Sequence, residues 1–307
     1  MIRTLELPPE ARPARARHRW RFSRLNTSIA LAILAGVFLA LYPTAAAWVS
    51  QVNQSNVVFD QTRANAAQAE EELQRQLAAA RDYNDLLRSG ARLASGGNVP
   101  TGVGVEGRAA RSATHAALDY WKLLSAAPTG TMARLRVPSI DLDLPVYHGT
   151  SDATLLQGGG HLQGTSLPVG GSGTRAVLTG HRGLASATMF THLDRVERGD
   201  TFSVEVLGEV LTYRVSTIEV VDPDATEEIR PVPGRDLMTL VTCTPLGINT
   251  QRILVTGERV SPTPREDLDA AGRRPAVPGF PWWLVACGGA TLTVAAWYRR
   301  AGFDRAG

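Results

Sequence analysis

Cys243 is one of two cysteines in this 307-residue chain, and it closes an apolar run of strand type at 237–243. A second run of the same type opens on Arg252 after a short turn containing Pro245, Gly247 and Asn249. The other cysteine, Cys287, lies in a hydrophobic C-terminal stretch that reads as a membrane span. With the middle of the chain outside the cell, Cys243 has no disulfide partner there. A lone thiol in such a compartment is a liability unless its chemistry is used. Two readings stand at this point: a nucleophile, or a buried cysteine acting as a small hydrophobe.

A thiol attacks as its thiolate, a form that a nearby imidazolium or guanidinium favours. Acyl transfer also needs donors where the carbonyl oxygen gains charge. The six histidines are His18, His115, His148, His161, His181 and His192. His181 follows the strand-type run 176–180, and Gly180 and Gly183 leave it free to face a neighbouring strand end. His18 falls in an N-terminal arm and His115 in a glycine-rich segment, while His148, His161 and His192 read as structural or solvated. In an antiparallel pair joined by a short loop, the end of one strand lies beside the start of the next. Arg252 therefore comes close to Cys243, with a plain surface arginine as the competing reading. Thr242, Thr179 and Gly180, which flank the two key positions, are candidate substrate contacts. No cofactor and no metal are expected, because no Cys/His cluster has metal spacing. The loop carboxylates Asp222, Asp224, Glu227 and Glu228 offer at most a loose cation site. The glycines at 158–160 lack a following phosphate-loop lysine and read as a turn.

The elements that must position these groups are mainly strands. Short β-type runs occur at 134–138, 142–147, 175–179, 201–206, 210–218, 237–243 and 252–260, with a hairpin turn at 207–209. A helix-like insert covers 188–195. The pattern suggests a closed or partly closed β-barrel. Ahead of it, 57–93 shows leucines at helical spacing and reads as a stalk or packing helix. Residues 94–114 are rich in glycine and small residues and read as a loop. A short helix is expected at 119–124.

Two uncharged apolar stretches, 29–48 and 280–298, have the length of spanning helices. Interfacial aromatics such as Trp48, Trp282 and Trp297 sit near their ends. Seven arginines precede the first stretch and Arg299-Arg300 follow the second, which puts both termini in the cytoplasm and 49–279 outside. A cleaved signal peptide is the rival reading of the first stretch, with 44–47 as the processing site. The basic arm abuts a hydrophobic segment, so it reads as a topology signal rather than a nucleic-acid contact. The net charge is only +3, and Lys122 is the one lysine among 32 basic residues.

TLVTCTPLGINTQR at 239–252 resembles the cysteine signature of sortases, and AVLTGHRGL at 176–184 resembles their histidine segment. MFTHLDRVERGDTF at 189–202 and the stretch 144–171 are similar as well. Together they resemble class C, the pilin-polymerising sortases of Gram-positive bacteria. The resemblance implies a sortase β-barrel with short helices, preceded by a helical region and flanked by two transmembrane helices. It implies Cys243 as nucleophile, His181 as general acid/base and Arg252 as stabiliser of substrate and oxyanion. The implied partners are pilin subunits with an LPxTG-like sorting signal and an acceptor lysine, and the membrane, with no nucleic acid and a monomeric catalytic domain. The expected organisation is a basic arm (1–28), a first span (29–48), a stalk and lid region (49–118), the catalytic barrel (119–260), a Pro-rich linker (261–279), a second span (280–298) and a cytoplasmic tail (299–307). The lid of this class carries an Asp-Pro-aromatic triplet, and none occurs between residues 50 and 130. Asp119-Tyr120-Trp121 matches instead the helix that follows the lid.

Overall fold

Runs of β-branched and aromatic residues separated by glycine and proline turns become eight strands of one closed barrel. The computed structural model describes residues 20–88, 92–94, 97–101, 119–125, 130–275 and 278–303. The chain divides into two compact units: Met1–Tyr42 with Pro281–Gly307, and Pro43–Phe280.

In the larger unit the barrel strands are β3 (Thr131–Val137), β4 (Leu142–His148), β5 (Gly159–His161), β6 (Thr174–Thr179), β7 (Thr201–Val206), β8 (Glu209–Val221), β9 (Asp236–Thr244) and β10 (Gln251–Val260). Their order around the barrel is β10-β8-β7-β3-β4-β5-β6-β9, and β9 pairs with β10 to close it. Two pairs are parallel, β4 with β5 and β6 with β9. A parallel pair needs a long crossover, and between β6 and β9 the β7–β8 hairpin supplies it. Side chains alternate across each strand. Met238 and Leu240 of β9 join Ala176, Leu178, Ile253 and Val255 in the core. Thr239, Val241 and Cys243 therefore face outward, where Thr239 and Thr256 share a hydroxyl–hydroxyl bond of 3.0 Å.

Of the glycines at 158–160, expected as a turn, Gly159 and Gly160 open β5 and Gly158 forms the bend before it. A Cβ at Gly158 would lie 2.4 Å from the Pro145 carbonyl oxygen, and one at Gly160 2.4 Å from that of Gly149. Only glycine lets β5 approach β4 this closely. The 188–195 insert is mostly turns, with a single short 3₁₀ stretch at Leu193–Arg195. Residues 119–124 are hydrogen-bonded turns and not a regular helix.

Helix α1 (Arg24–Ala66) runs on from the first apolar stretch, and α2 (Glu70–Arg88) follows after a break, so the stalk is two helices. Leu73, Leu77, Ala80 and Tyr83 of α2 join the core. Buried Asn84 donates to the Leu167 carbonyl at 3.0 Å and accepts from the Leu167 N–H at 2.7 Å, as a strand neighbour would. Residues 92–93, expected at the end of the helical stretch, and 94–101, expected within a loop, hold instead a small antiparallel pair, β1 (Arg92–Ala94) and β2 (Gly97–Thr101). The rest of the lid region, 102–118, lies outside the described residues. The Pro-rich linker carries a short helix, α4 (Arg265–Ala270; α3 is Asp152–Leu155), and Thr212 donates to its Asp267 at 2.7 Å.

Among the described residues, α1 is the one helix long and apolar enough to cross a membrane. The expected second span forms α5 (Trp282–Phe303) but falls short of that measure. Tryptophans, threonines and Gly288-Gly289 dilute its apolar content. Within the smaller unit, Thr27 of α1 shares a 2.8 Å hydroxyl bond with Tyr298 of α5, and the Arg21 N–H donates to the Gly302 carbonyl at 3.1 Å.

Candidate active site

Cys243 lies next to last in β9, half-buried, with a free thiol. Across the ladder its Cα partner is Arg252, the second residue of β10. Directly opposed residues project to the same face, with Cβ atoms about 5 Å apart. The loop between them folds back on itself: the Pro245 carbonyl accepts from the N–H groups of Ile248 and Asn249 at 3.1 and 2.9 Å. Asn249 takes a left-handed conformation, φ +60, which asparagine tolerates. This presents its carbonyl to the Arg252 guanidinium at 3.0 Å, and the Gln251 carbonyl accepts from the same nitrogen at 2.9 Å. Arg252 is thus held by its own loop at the outer end of the Cys243 strand.

On the other side of β9, the parallel ladder with β6 pairs Thr179 with Val241. It extends one step further, because the Gly180 N–H donates to the Val241 carbonyl at 3.2 Å. His181 stands two residues beyond Thr179, and Cys243 two residues beyond Val241. Counted on from that ladder, position 181 falls alongside position 243. Cys243 and Arg252 thus lie on adjacent strands, β9 and β10, and His181 in the loop that leaves β6.

Thr242 and Gly180 were expected to contact substrate. Thr242 instead points inward, is 2% exposed, and donates its hydroxyl to the Gly180 carbonyl at 2.7 Å. Gly180 packs under Phe190, where a Cβ would sit 2.8 Å from the ring. Both hold the histidine strand against the cysteine strand. Thr179 lies on the outer face, with its hydroxyl 3.4 Å from the Gly160 carbonyl. Sequence reasoning missed Phe190, whose N–H donates to the His181 carbonyl at 3.0 Å, and Arg182, which reaches from the histidine loop to Thr244. The signal for Arg182 was its place directly after the histidine.

Two further histidines are buried away from Cys243. The His161 Nε2–H donates to the Ser166 carbonyl at 2.8 Å, and its Nδ1 lies 3.0 Å from the Tyr120 hydroxyl. Burial pulls the His161 imidazole down to about 4. The His148 Nε2–H donates to the Leu123 carbonyl at 2.7 Å, and burial lowers this imidazole too. Both pin the turns at 119–124 onto the barrel, so they are structural, as expected. Tyr120 is buried there and is no plug over Cys243. Among the described residues, no group of three or more His, Cys, Asp or Glu side chains could hold a metal ion.

The sortase domain matches residues 135–260, which contain all three strands of the site. The crystal structure of sortase C-1 from Actinomyces oris is 45% identical, with a TM-score of 0.50; the match covers 61% of this chain and 98% of that one. The chain belongs to the sortase family. The pilus-related sortase C of group B Streptococcus is 32% identical, with a TM-score of 0.52, over 66% of this chain and 96% of that one. Sortase A from Streptococcus agalactiae serotype III (strain NEM316) is 30% identical over 127 residues, which is 40% of this chain and 51% of that relative. The chain therefore spans about half the length of this curated relative. The class C structural neighbours agree with the expected class.

Proposed function

We propose that this sortase is a membrane-anchored cysteine transpeptidase that joins pilin subunits. The observation that carries the reading is the pair of ladders around β9, one opposing Arg252 to Cys243 and the other drawing the strand before His181 alongside. In this reading the Cys243 Sγ attacks the Thr carbonyl carbon of an LPxTG-like sorting signal. A C–S bond forms, the Thr–Gly C–N bond breaks, and His181 delivers a proton to the departing glycine amine. Arg252 donates to the carbonyl oxygen as it gains charge. A lysine amine of the next pilin subunit then attacks the thioester, His181 takes its proton, and an isopeptide bond forms as the thiol is returned.

The likeness to sortase C-1 of Actinomyces oris and to a pilus-related sortase C supports the pilin reading. The relatives named sortase A support a second one, attachment of surface proteins to a cell-wall amine. A module that only binds sorting signals would have no need for the His181–Cys243–Arg252 grouping. The lone lysine, Lys122, limits self-ligation by offering few competing amines.

The apolar first part of α1 supports membrane anchoring. The Thr27–Tyr298 bond supports two spans whose outer ends lie on one side, and the arginines there favour the cytoplasmic side. Tethering would hold enzyme and membrane-anchored substrates in one thin layer, which raises their effective concentration.

The test is a thioester trapped with an LPxTG peptide and mapped by mass spectrometry. An adduct on Cys243, absent in Cys243→Ala, is expected; no adduct overturns the enzymatic reading. Product analysis separates the acceptors, since a ladder of covalent pilin multimers supports the first reading and wall-linked monomer the second.

A further inference from the structure

We infer that Arg182 is a positioning residue that locks the loop bearing His181 to the strand end bearing Cys243. The inference deepens the transpeptidase reading and rests on it. Arg182 follows His181 directly, and its side chain is 10% exposed. Its three nitrogens reach three different partners. Nε–H donates to the Thr191 carbonyl at 3.2 Å, Nη1 donates to the Thr244 hydroxyl at 3.0 Å, and Nη2 pairs with Asp194 at 2.7 Å. Thr191 and Asp194 lie in the insert between β6 and β7, and Thr244 is the residue after Cys243.

A second tie runs parallel to the first. Gly183 has φ +76, and a Cβ there would lie 2.5 Å from Leu246 of the β9–β10 loop. The Gly183 N–H also donates to the Thr191 hydroxyl at 3.1 Å. These ties matter because of where β6 stops. The backbone ladder carries the histidine strand as far as Gly180, and beyond it the Arg182 fork and the Leu246 contact join the two loops. Proton transfer and attack depend steeply on placement, and an error of about 1 Å can cost about 10²-fold in rate. A planar guanidinium can serve three fixed acceptors together, whereas a lysine ammonium on its flexible stem cannot match that fork.

The test is steady-state cleavage of an LPxTG peptide by the full-length protein in detergent, with the thermal midpoint followed in parallel. Arg182→Ala is expected to lower kcat at least about tenfold with KM within about twofold. Thr244→Val is expected to lower kcat by several-fold. The double variant should be no slower than Arg182→Ala alone, since both remove the same tie. Arg182→Lys should recover only part of the loss. Losses that multiply in the double variant, a loss carried by KM, or an unchanged kcat would overturn the role. Should Arg182→Ala fail to fold, Thr244→Val and Asp194→Asn decide on the same criteria. A wild-type protein that forms no acyl adduct overturns the enzymatic reading and this role together. Wild-type acylation matched by the Arg182 variants overturns this role alone.

Discussion

Cys243 and Arg252 face each other across the β9–β10 ladder as Cα partners, nine residues apart in sequence and joined by one loop. The guanidinium is steadied by the Asn249 and Gln251 carbonyls of its own loop. In the proposed chemistry Arg252→Lys keeps the charge and loses the fork. The expected outcome is a fall of about 10²-fold in kcat/KM, the scale of losing one oxyanion donor. Peptide cleavage measures it, with alkylation of Cys243 as the control for an intact site. Activity within twofold of wild type would refute the role.

Gly160 sits where the β4–β5 seam leaves no room for a side chain. With a Cβ 2.4 Å from the Gly149 carbonyl oxygen, Gly160→Ala must push the strands apart. A loss of about 1–3 kcal/mol is expected, the usual cost of overpacking. Urea unfolding of the two proteins tests this. An unchanged midpoint would show that the seam relaxes freely.

Asn84 of α2 bonds the Leu167 backbone twice, once as donor and once as acceptor. Replacing it by leucine strands a buried N–H and a buried carbonyl, each costing about 1–3 kcal/mol. Asn84→Leu should therefore destabilise the protein by several kcal/mol in urea despite the added apolar surface. A neutral or stabilising result would mean that water replaces the amide.

His161 makes stability depend on acid. Its folded pKa of about 4 lies below the ordinary 6.5, so between these values the unfolded chain binds more protons. Its contribution to stability is intact above pH 6.5 and is lost as pH falls toward 4. The loss is on the order of 3 kcal/mol for this one group. His148 is shifted the same way by burial and adds to the slope. Urea unfolding at several pH values should show wild-type stability dropping through this window and His161→Gln dropping less. Parallel slopes would remove His161 from the account.

Seven of the eight barrel strands could be read in the chain, because β-branched runs and Gly/Pro turns are local features. β5 could not, since Gly159 and Gly160 have no strand preference of their own; close packing against β4 makes them a strand. The first apolar helix was readable from its length, yet its continuation into the stalk was not, because Ser50, Asn53, Ser55 and Asn56 have weak helix preference of their own. The short helix α4 was hidden in a proline-rich stretch and is held by its contact with Thr212.

The same divide runs through the site. Arg252 beside Cys243 follows from one short antiparallel connection, so local spacing was sufficient to anticipate it. His181 lies about sixty residues earlier, and the strand before it is drawn alongside the Cys243 strand by a parallel pairing that no local pattern encodes, so from the residues alone it was only a candidate. The inward turn of Thr242 and the reach of Arg182 to Thr244 were likewise invisible. Both depend on which strands become neighbours when the barrel closes, and burial of the shared core decides that.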